Sequence, residues 1–168
     1  MERSANSAEA EHTQTAADTE FMRKALELAH SAQRHGDVPV GAVIAIEGEV
    51  AAVGFNQKEA NHDPTAHAEM VALRQASARR GGWRLTGATL YVTKEPCLMC
   101  AAACVAARIE RLVYACPDPK GGGAGSVYDI VDDARLNHRV RVTSGVLAEE
   151  AAQMLRAFFR ARRTQDDF

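Results

Sequence analysis

A pair of cysteines at C-x-x-C spacing, directly after a proline, is the feature that most constrains how this chain can fold. Cys97 and Cys100 follow Pro96, and proline is favoured in the first turn of a helix. Cysteines at this spacing in a first helical turn point the same way, and the helix N-terminus stabilises their thiolates. Two adjacent thiolates are typical metal ligands, so the fold must bring a further ligand to this helix start.

The third ligand is expected from the segment His67-Ala68-Glu69, at the start of a second helix. One imidazole and two thiolates would hold Zn²⁺ and leave a fourth tetrahedral position open, as in catalytic rather than structural zinc sites. Glu69 does not share a helix face with His67, and a carboxylate beside the metal is suited to proton transfer. Because zinc lowers the pKa of a bound water to about 7, this arrangement favours hydrolysis at neutral pH.

The alternative is a closed structural zinc site with a fourth protein ligand. Cys104, Cys116 or His62 could supply that ligand. We expect Cys104 and Cys116 to be apolar packing residues instead, and His62, like His138, to orient a loop through hydrogen bonds. A closed site would also leave Glu69 without a function.

Composition limits the class of protein. The chain has 168 residues, of which 46% are hydrophobic and 25% charged, as expected of one ordinary globular domain. No apolar run approaches the roughly 20 residues that a membrane helix needs, and no secretory signal is recognisable. Because 4 cysteines are too few for a disulfide scaffold, we expect a cytoplasmic protein with no membrane partner.

The net charge of −2 hides an uneven distribution, since one arginine and five acidic residues lie within residues 1–20. We expect residues 1–17 to form a disordered acidic tail, residues 18–163 a single domain, and residues 164–168 a C-terminal tail. The rest of the chain is slightly basic. The acidic pI of about 6.3 therefore does not exclude a nucleic-acid partner.

Apolar periodicity predicts alternating helices and strands. The predicted helices cover about 19–35, 65–80 and 97–107, and Asp18 or Thr19 is expected to cap the first of them. A last helix is predicted from an apolar stripe of Leu147, Ala151, Met154, Leu155 and Phe158. The predicted strands cover 38–46, 50–55, 88–93, 111–115 and 140–143. This order indicates an α/β fold, a three-layer α/β/α sandwich with a mixed central sheet of about five strands.

The motif pair H-x-E and P-C-x-x-C resembles the signature of the zinc-dependent cytidine deaminase superfamily. Within that superfamily, the chain is similar to the bacterial tRNA-specific adenosine deaminases over about residues 21–163. The motifs that carry this resemblance are VPVGAV at 38–43, HDPTAHAE at 62–69, TLYVT at 89–93, EPC at 95–97, GS at 125–126, NHRV at 137–140 and FFR at 158–160. The resemblance implies a cytidine deaminase-like fold for the single deaminase domain.

The resemblance also implies an activity and a set of roles. Such enzymes convert adenosine to inosine at the wobble position of a tRNA anticodon, release ammonia, and work as homodimers whose pocket is partly lined by the other subunit. Carried over by position, His67, Cys97 and Cys100 hold one zinc ion per chain, and Glu69 moves the proton.

Further residues are implied to bind the substrate. Asn56 would hydrogen-bond the flipped purine, and the turn at Pro96 and the segment containing Val40 and Ala42 would wall the base pocket. The chain departs from the family pattern at Lys94, where leucine is usual, and at Ala102, where glycine is common.

The last helix and a glycine-rich loop are the candidate contacts to a tRNA anticodon stem-loop. Four arginines surround Phe158 and Phe159, and basic residues beside aromatic rings suit phosphate contact and base stacking. Of these we expect Phe159 and Arg163 to contact RNA and Phe158 to lie in the core. Asp118 and Lys120 are candidate contacts in the loop. The alternative for all four is ordinary solvation of a charged surface.

Two competing functions share parts of this pattern. A deaminase of a free base or nucleoside, of guanine or cytosine type, would use the same zinc site and the same Glu69. A non-catalytic zinc module that binds RNA would have no use for Glu69 or for an open coordination position. Both alternatives fit the chain less well than a tRNA adenosine deaminase does.

Overall fold

A computed structural model describes residues 14–166 and contains one mixed sheet of five strands in the order β2-β1-β3-β4-β5. The strands are β1 (Gly41–Ile46), β2 (Glu49–Phe55), β3 (Ala88–Lys94), β4 (Arg111–Cys116) and β5 (Arg141–Ser144). β1 pairs antiparallel with β2 and β3, whereas β3–β4 and β4–β5 are parallel. The predicted mixed sheet of about five strands is confirmed.

Helices cover both faces of this sheet. They are α1 (Ala16–Arg34), α2 (Lys58–Asn61), α3 (Ala68–Arg80), α4 (Leu98–Ala106) and α5 (Ala148–Asp166). One core contains residues of α3 and α4 together with Ile44, Leu90 and Leu112, while a second contains residues of α1 and α5 together with their strand neighbours Val43, Tyr91 and Val113. Successive strand residues point to opposite faces, so these two cores make the predicted three-layer sandwich.

The first helix begins earlier than predicted. Thr15 is its N-cap and accepts the backbone N–H of Asp18, while Asp18 accepts the N–H of Thr15 in return. Asp18 is therefore the third helical residue of a capping box and not the cap itself. Residues 14–17 were predicted to belong to the disordered tail, but the helix starts within them; residues 1–13 of that tail lie outside the described part.

Other boundaries also differ from prediction. α5 continues to Asp166, beyond the predicted domain end at 163, and residues 167–168 lie outside the described part. α3 begins at Ala68 and not at 65, because residues 63–65 form a turn in which Asp63 accepts the N–H of Thr65. The single-turn helix α2 was not predicted. No described helix is long and apolar enough to cross a membrane.

Two glycines let helices approach the sheet closely. A Cβ atom on Gly54 of β2 would lie 2.3 Å from the carbonyl oxygen of Ala68, and one on Gly41 of β1 would lie 1.9 Å from that of Ala25. Any larger residue at Gly54 would push the start of α3 outward. α4 begins just after β3 ends, and His67 brings the start of α3 to the same place. Both helix starts therefore lie beyond the carboxyl end of a parallel strand, where α/β folds commonly place their ligand-binding sites.

Candidate metal centre and substrate cavity

Three side chains at the starts of α3 and α4 form a group that could hold a metal ion. His67 is the N-cap of α3, Cys97 is the N-cap of α4, and Cys100 lies in the first turn of α4. Their ligand atoms all lie within 4.8 Å of one another, and His67 Nδ1 is 3.5 Å from each sulfur. One nitrogen and two sulfur donors are the chemistry that zinc prefers.

The group has three members, and none of the proposed fourth ligands joins it. Among residues 14–166, Cys104, Cys116 and His62 all lie outside the group. Cys104 and Cys116 are buried in the two cores, as expected of packing residues. The geometry therefore matches an open catalytic site and gives the closed structural site no fourth ligand within the described chain.

The cysteines differ in electrostatic environment although they are neighbours. Hydrogen bonding from the Cys100 thiol, together with His67, lowers the pKa of Cys97 to about 3. The same hydrogen bond to Cys97, and burial, raise the pKa of Cys100. One thiolate is thus already favoured by the fold, and a cation in the group would favour the second.

Glu69 lies in the first turn of α3 and lines the same cavity as the metal-ligand group. Its side chain is buried, at 4% exposure, and burial raises the pKa of its carboxyl group. Its oxygens do not join the group of ligand atoms. A carboxyl group with a raised pKa beside a metal site is suited to accept and return a proton.

The cavity in front of these groups has a volume of about 190 Å³. Val38, Val40 and Phe159 make its apolar wall, and Asn56 is one of its polar residues. Asn56 Oδ1 accepts the backbone N–H of Ala68 at 2.9 Å. This bond uses the amide carbonyl, so the amide NH₂ group remains as a donor to a ligand.

Two predicted pocket residues do not line this cavity. Ala42 is fully buried in the core between the sheet and helices α3 and α4; it is on the same face as Val40 but further along the chain, inside the core. Pro96 is buried as well, and its carbonyl accepts the N–H of Gly123 at 2.7 Å. The family resemblance implied that both residues wall the base pocket; in the structure Ala42 packs in the core, and Pro96 holds Gly123 of the glycine-rich loop.

Glu95 is a residue that the sequence analysis gave no role. Its buried carboxylate accepts the backbone N–H groups of Asp118, Ala124 and Ser126 at 2.9 to 3.1 Å, and also the Ser126 hydroxyl. A Cβ atom on Gly122 would lie 2.3 Å from its carboxyl carbon. Glu95 thus holds the glycine-rich loop against the end of β3. The one feature of the sequence that could have indicated a role for Glu95 is its charge directly after an apolar strand.

Asp37 acts in the same way on the other side of the cavity. It is 2% exposed and accepts the backbone N–H groups of Glu59 and Ala60 at 3.0 and 3.3 Å. These bonds fix helix α2, which brings Lys58 and Glu59 to the cavity wall. Asp37 directly precedes the VPVGAV motif, but nothing in the sequence indicates a partner more than twenty residues away.

A second cavity, the C-terminal groove, runs between α5 and the glycine-rich loop and has a volume of about 890 Å³. Its lining brings together the four residues predicted to contact RNA, namely Asp118, Lys120, Phe159 and Arg163, and adds Arg156 and Arg160. Phe159 is 43% exposed, whereas Phe158 is 8% exposed, as expected of a core residue. Arg162 lines the substrate cavity instead.

The two departures from the family pattern differ in their surroundings. Ala102 is exposed on α4, so the methyl group that replaces a hydrogen meets solvent. Lys94 lines both the substrate cavity and the C-terminal groove.

Comparison with known proteins agrees with this geometry. A family model of the MafB19-like deaminases matches residues 16–163. A tRNA-specific adenosine deaminase of Bacillus subtilis is 47% identical over 146 residues, which cover 87% of this chain and 91% of that protein. Another of Haemophilus influenzae is 47% identical and covers 88% of this chain and 86% of that protein.

A solved structure is also similar. It comes from biochemical and structural studies of A-to-I editing by tRNA deaminases at the wobble position of transfer RNA. It has a TM-score of 0.79 at 44% identity and covers 82% of this chain and 99% of that chain. A match over nearly the whole described length, including the helix starts of the metal-ligand group, means that this chain belongs to the MafB19-like deaminases and, among them, to the tRNA-specific adenosine deaminases.

Proposed function

We propose that this chain is a zinc-dependent hydrolase that converts adenosine to inosine at the wobble position of a tRNA anticodon. The observation that carries the proposal is that the metal-ligand group, the buried Glu69 and a basic groove adjoin one another. A group of one histidine and two cysteines lies beside a buried Glu69. The cavity they share meets a basic groove at Phe159, which lines both. The first two features suit hydrolytic deamination, and the groove suits an RNA backbone.

His67, Cys97 and Cys100 would hold one zinc ion per chain. Zinc bound there would act as a Lewis acid and lower the pKa of water to about 7. The chain's own part is proton transfer by Glu69, which takes a proton from the attacking water and returns it to the departing amino group. One water is consumed and one ammonia is released as the C–N bond of the adenine breaks.

The walls of the cavity would position the base for this reaction. The Asn56 amide NH₂ group, in the lining of the cavity, would donate to a ring nitrogen of the purine. Val38 and Val40 offer an apolar surface that excludes water from one side of the ring. Water excluded from the cavity cannot compete with the attacking one, and hydrogen bonds inside it become stronger.

The C-terminal groove would bind the RNA outside the reacting nucleotide. An unpaired loop can extrude its bases at low cost, so the substrate adenosine can enter the cavity while the rest of the loop stays outside. Lys120, Arg160 and Arg163 would contact phosphates and Phe159 would stack on a base, and the presence of all four in the lining of the groove supports this assignment. Affinity from phosphates and stacking leaves the cavity free to select the base.

The alternative is a deaminase of a free base or nucleoside. The cavity of about 190 Å³ and its chemical groups would serve a free base equally well. A deaminase of free bases would have no use for the exposed Phe159 or for the arginines of α5. For that reason we favour the tRNA substrate.

We also propose that the chain works as a homodimer in the cytoplasm. Helices α3 and α4 present an apolar groove lined by Met70, Trp83, Ala103 and Ala106, and Trp83 is 57% exposed. Exposed apolar surface of this kind marks a site of association, and a partner seated there would contact α3 and α4, the two helices whose starts carry the metal-ligand group. The four cysteines are free thiols, as expected in a reducing compartment.

The test is deamination by the zinc-loaded full chain. It is given an anticodon stem-loop with adenosine at the wobble position and, separately, free adenosine, guanine and cytidine. Inosine formed in the stem-loop, with little turnover of the free compounds, is the expected result. Turnover of a free base at a higher kcat/KM than that of the stem-loop would favour the alternative. No turnover of any of them would contradict a deaminase.

A further inference from the structure

Lys94 stands where the substrate cavity meets the C-terminal groove. It is the last residue of β3 and directly precedes Glu95, which holds the glycine-rich loop. Its side chain lines both cavities, and Phe159 is the one other described residue that does so. A chain of nucleotides that places one base in the cavity and its backbone in the groove must therefore pass Lys94.

The position of the Lys94 ammonium group is fixed by the loop. Its Nζ lies 2.7 Å from Oδ2 of Asp118, and the two side chains are 34% and 15% exposed. The other carboxylate oxygen of Asp118 accepts the N–H of Lys120 at 3.1 Å. Burial opposes the ionisation of Asp118, but the hydrogen bonds from Lys94 and Lys120 outweigh it and lower the pKa of this carboxyl group.

The ammonium group keeps donors that the protein does not use. A lysine has three N–H donors, and within residues 14–166 the carboxylate of Asp118 is its one hydrogen-bond acceptor. Two donors are therefore available to a ligand at the junction of the two cavities. Since Asp118 already holds the flexible side chain, a ligand binding there loses less side-chain entropy than at a free lysine.

The charges on the two sides of Lys94 differ. The lining of the cavity is mixed in charge, which suits a neutral base better than a phosphate: beside Lys94 it has the acidic residues Asp37, Glu59, Glu69 and Glu95 and the basic residues Lys58 and Arg162. The groove contains Arg160 and Arg163, among other basic residues. The backbone of a bound nucleotide changes from one environment to the other at Lys94, so a cation at this point meets the first phosphate outside the cavity.

We propose that Lys94 is a positioning residue for the RNA substrate. Its ammonium group binds the phosphate that adjoins the nucleotide in the cavity, while Asp118 holds the ammonium group in place. The inference rests on the proposed function, because it needs an RNA substrate. It adds one phosphate contact close to the reacting base, and this contact fixes how far the nucleotide enters the cavity.

The test uses the zinc-loaded full chain with Lys94→Met, Lys94→Arg and, as a control for net charge, Lys24→Met on α1. Lys24 lies on the exposed side of that helix, paired with Glu20. Lys94→Met is expected to raise KM for the anticodon stem-loop about tenfold, the size of one charged hydrogen bond, with a smaller change in kcat. The slope of log Kd against log salt should fall by about 0.7, one phosphate contact to a single strand.

The other variants separate a phosphate contact from support of the loop. Lys94→Arg should restore most of the affinity and the salt slope, and Lys24→Met should match the wild type. Asp118→Asn should keep the salt slope, because the ammonium group remains. If Lys94→Met leaves the salt slope unchanged and has the same effect on KM as Asp118→Asn, Lys94 only supports the loop and the inference is wrong.

Failure of the inference is distinguishable from failure of the proposed function. A wild type that does not edit the stem-loop contradicts the proposed function. A wild type that edits it, with Lys94→Met equal in KM and salt slope, overturns only the role of Lys94. Equal zinc content and equal melting temperature show that the variants are folded.

Discussion

Glu69 is a carboxyl group that the fold removes almost completely from water. Burying an ionised carboxylate costs free energy unless it is paired, and here burial raises the pKa of the group instead. Its place beside His67 and Cys97, in the wall of the cavity, explains why a titratable side chain stands there.

Glu69→Gln nearly keeps the shape and size of the side chain and removes its ability to carry a proton. We expect normal zinc content and a loss of deamination of about 10²–10⁴-fold, the usual contribution of general acid–base catalysis. Inosine formation and elemental analysis measure the two quantities. Glu27→Gln, at an exposed position of α1, is the control. Wild-type rates in Glu69→Gln would mean that another group moves the proton.

The ligand assignment is tested by two cysteines of the same helix. Cys97→Ala should lose zinc and lower the melting temperature, because bound metal joins the starts of α3 and α4 and contributes to stability. Cys104→Ala should keep zinc, since Cys104 lies in the core and outside the ligand group. Full zinc in Cys97→Ala, or its loss in Cys104→Ala, would refute the assignment.

At the scale of elements, the starts of α3 and α4 lack the side-chain caps that helices usually have. His67 and Cys97 occupy the N-cap positions, and neither side chain caps its own helix. Asn56, at the end of β2, instead accepts the N–H of Ala68. The side chains of His67 and Cys97 are therefore free to bind a metal. The missing cap bonds lower the stability of the two helix starts, and the bond from Ala68 to Asn56 partly compensates for this at α3.

This arrangement also shows what the sequence could predict. The C-x-x-C spacing and the helix starts are local features, so His67, Cys97 and Cys100 could be grouped before the fold was known. Glu95 and Asp37 act through backbone N–H groups more than twenty residues away, and no local pattern indicates such partners. The contacts of Asp18 to Tyr91 and Arg111 are long-range as well, and the sequence offered only its role near the helix start.

The exposed side of α5 is expected to bind RNA independently of the metal site. Phe159→Ala combined with Arg163→Ala should weaken binding of the anticodon stem-loop by tenfold or more, since one base stacked on an aromatic ring contributes about 1–3 kcal/mol. Zinc content should not change. Arg135→Ala, which removes an arginine whose side chain is 89% exposed and lies outside the groove, is the charge control. Equal binding by the double variant and the control would make α5 a scaffold only.

At the scale of the whole molecule, one buried ion pair joins the first helix to the far half of the sheet. Asp18, whose side chain is 1% exposed, accepts two hydrogen bonds from Arg111 of β4 at 2.7 and 2.8 Å and one from the hydroxyl of Tyr91 of β3 at 3.0 Å. Arg111 also donates to Thr143 of β5 at 2.9 Å. The network fixes α1 across three strands.

This network makes stability depend on pH. Burial opposes the ionisation of Asp18, but the hydrogen bonds from Arg111, Thr15 and Tyr91 outweigh it and lower the pKa of its carboxyl group. Because the folded-state pKa lies below the unfolded value of about 3.9, the stabilisation is complete above that pH and is lost as the pH falls below it.

Asp18→Asn should lower the free energy of unfolding by about 3 kcal/mol at neutral pH, because it leaves Arg111 with an unpaired, partly buried charge. The difference from the wild type should shrink as the pH falls below about 4. Denaturant unfolding followed by circular dichroism measures both. A difference that is independent of pH would show that the carboxylate charge of Asp18 does not contribute.

The central claim is that the cavity at Glu69 deaminates, by addition of water, an adenine that an anticodon loop presents to it. Position-resolved mass spectrometry of the stem-loop, after turnover by the zinc-loaded full chain in isotopically labelled water, tests this claim most directly. The account predicts inosine at the wobble position, carrying one oxygen atom from the labelled water, and unchanged adenosines elsewhere in the loop. Unlabelled inosine, inosine distributed over the loop, or no inosine would contradict it.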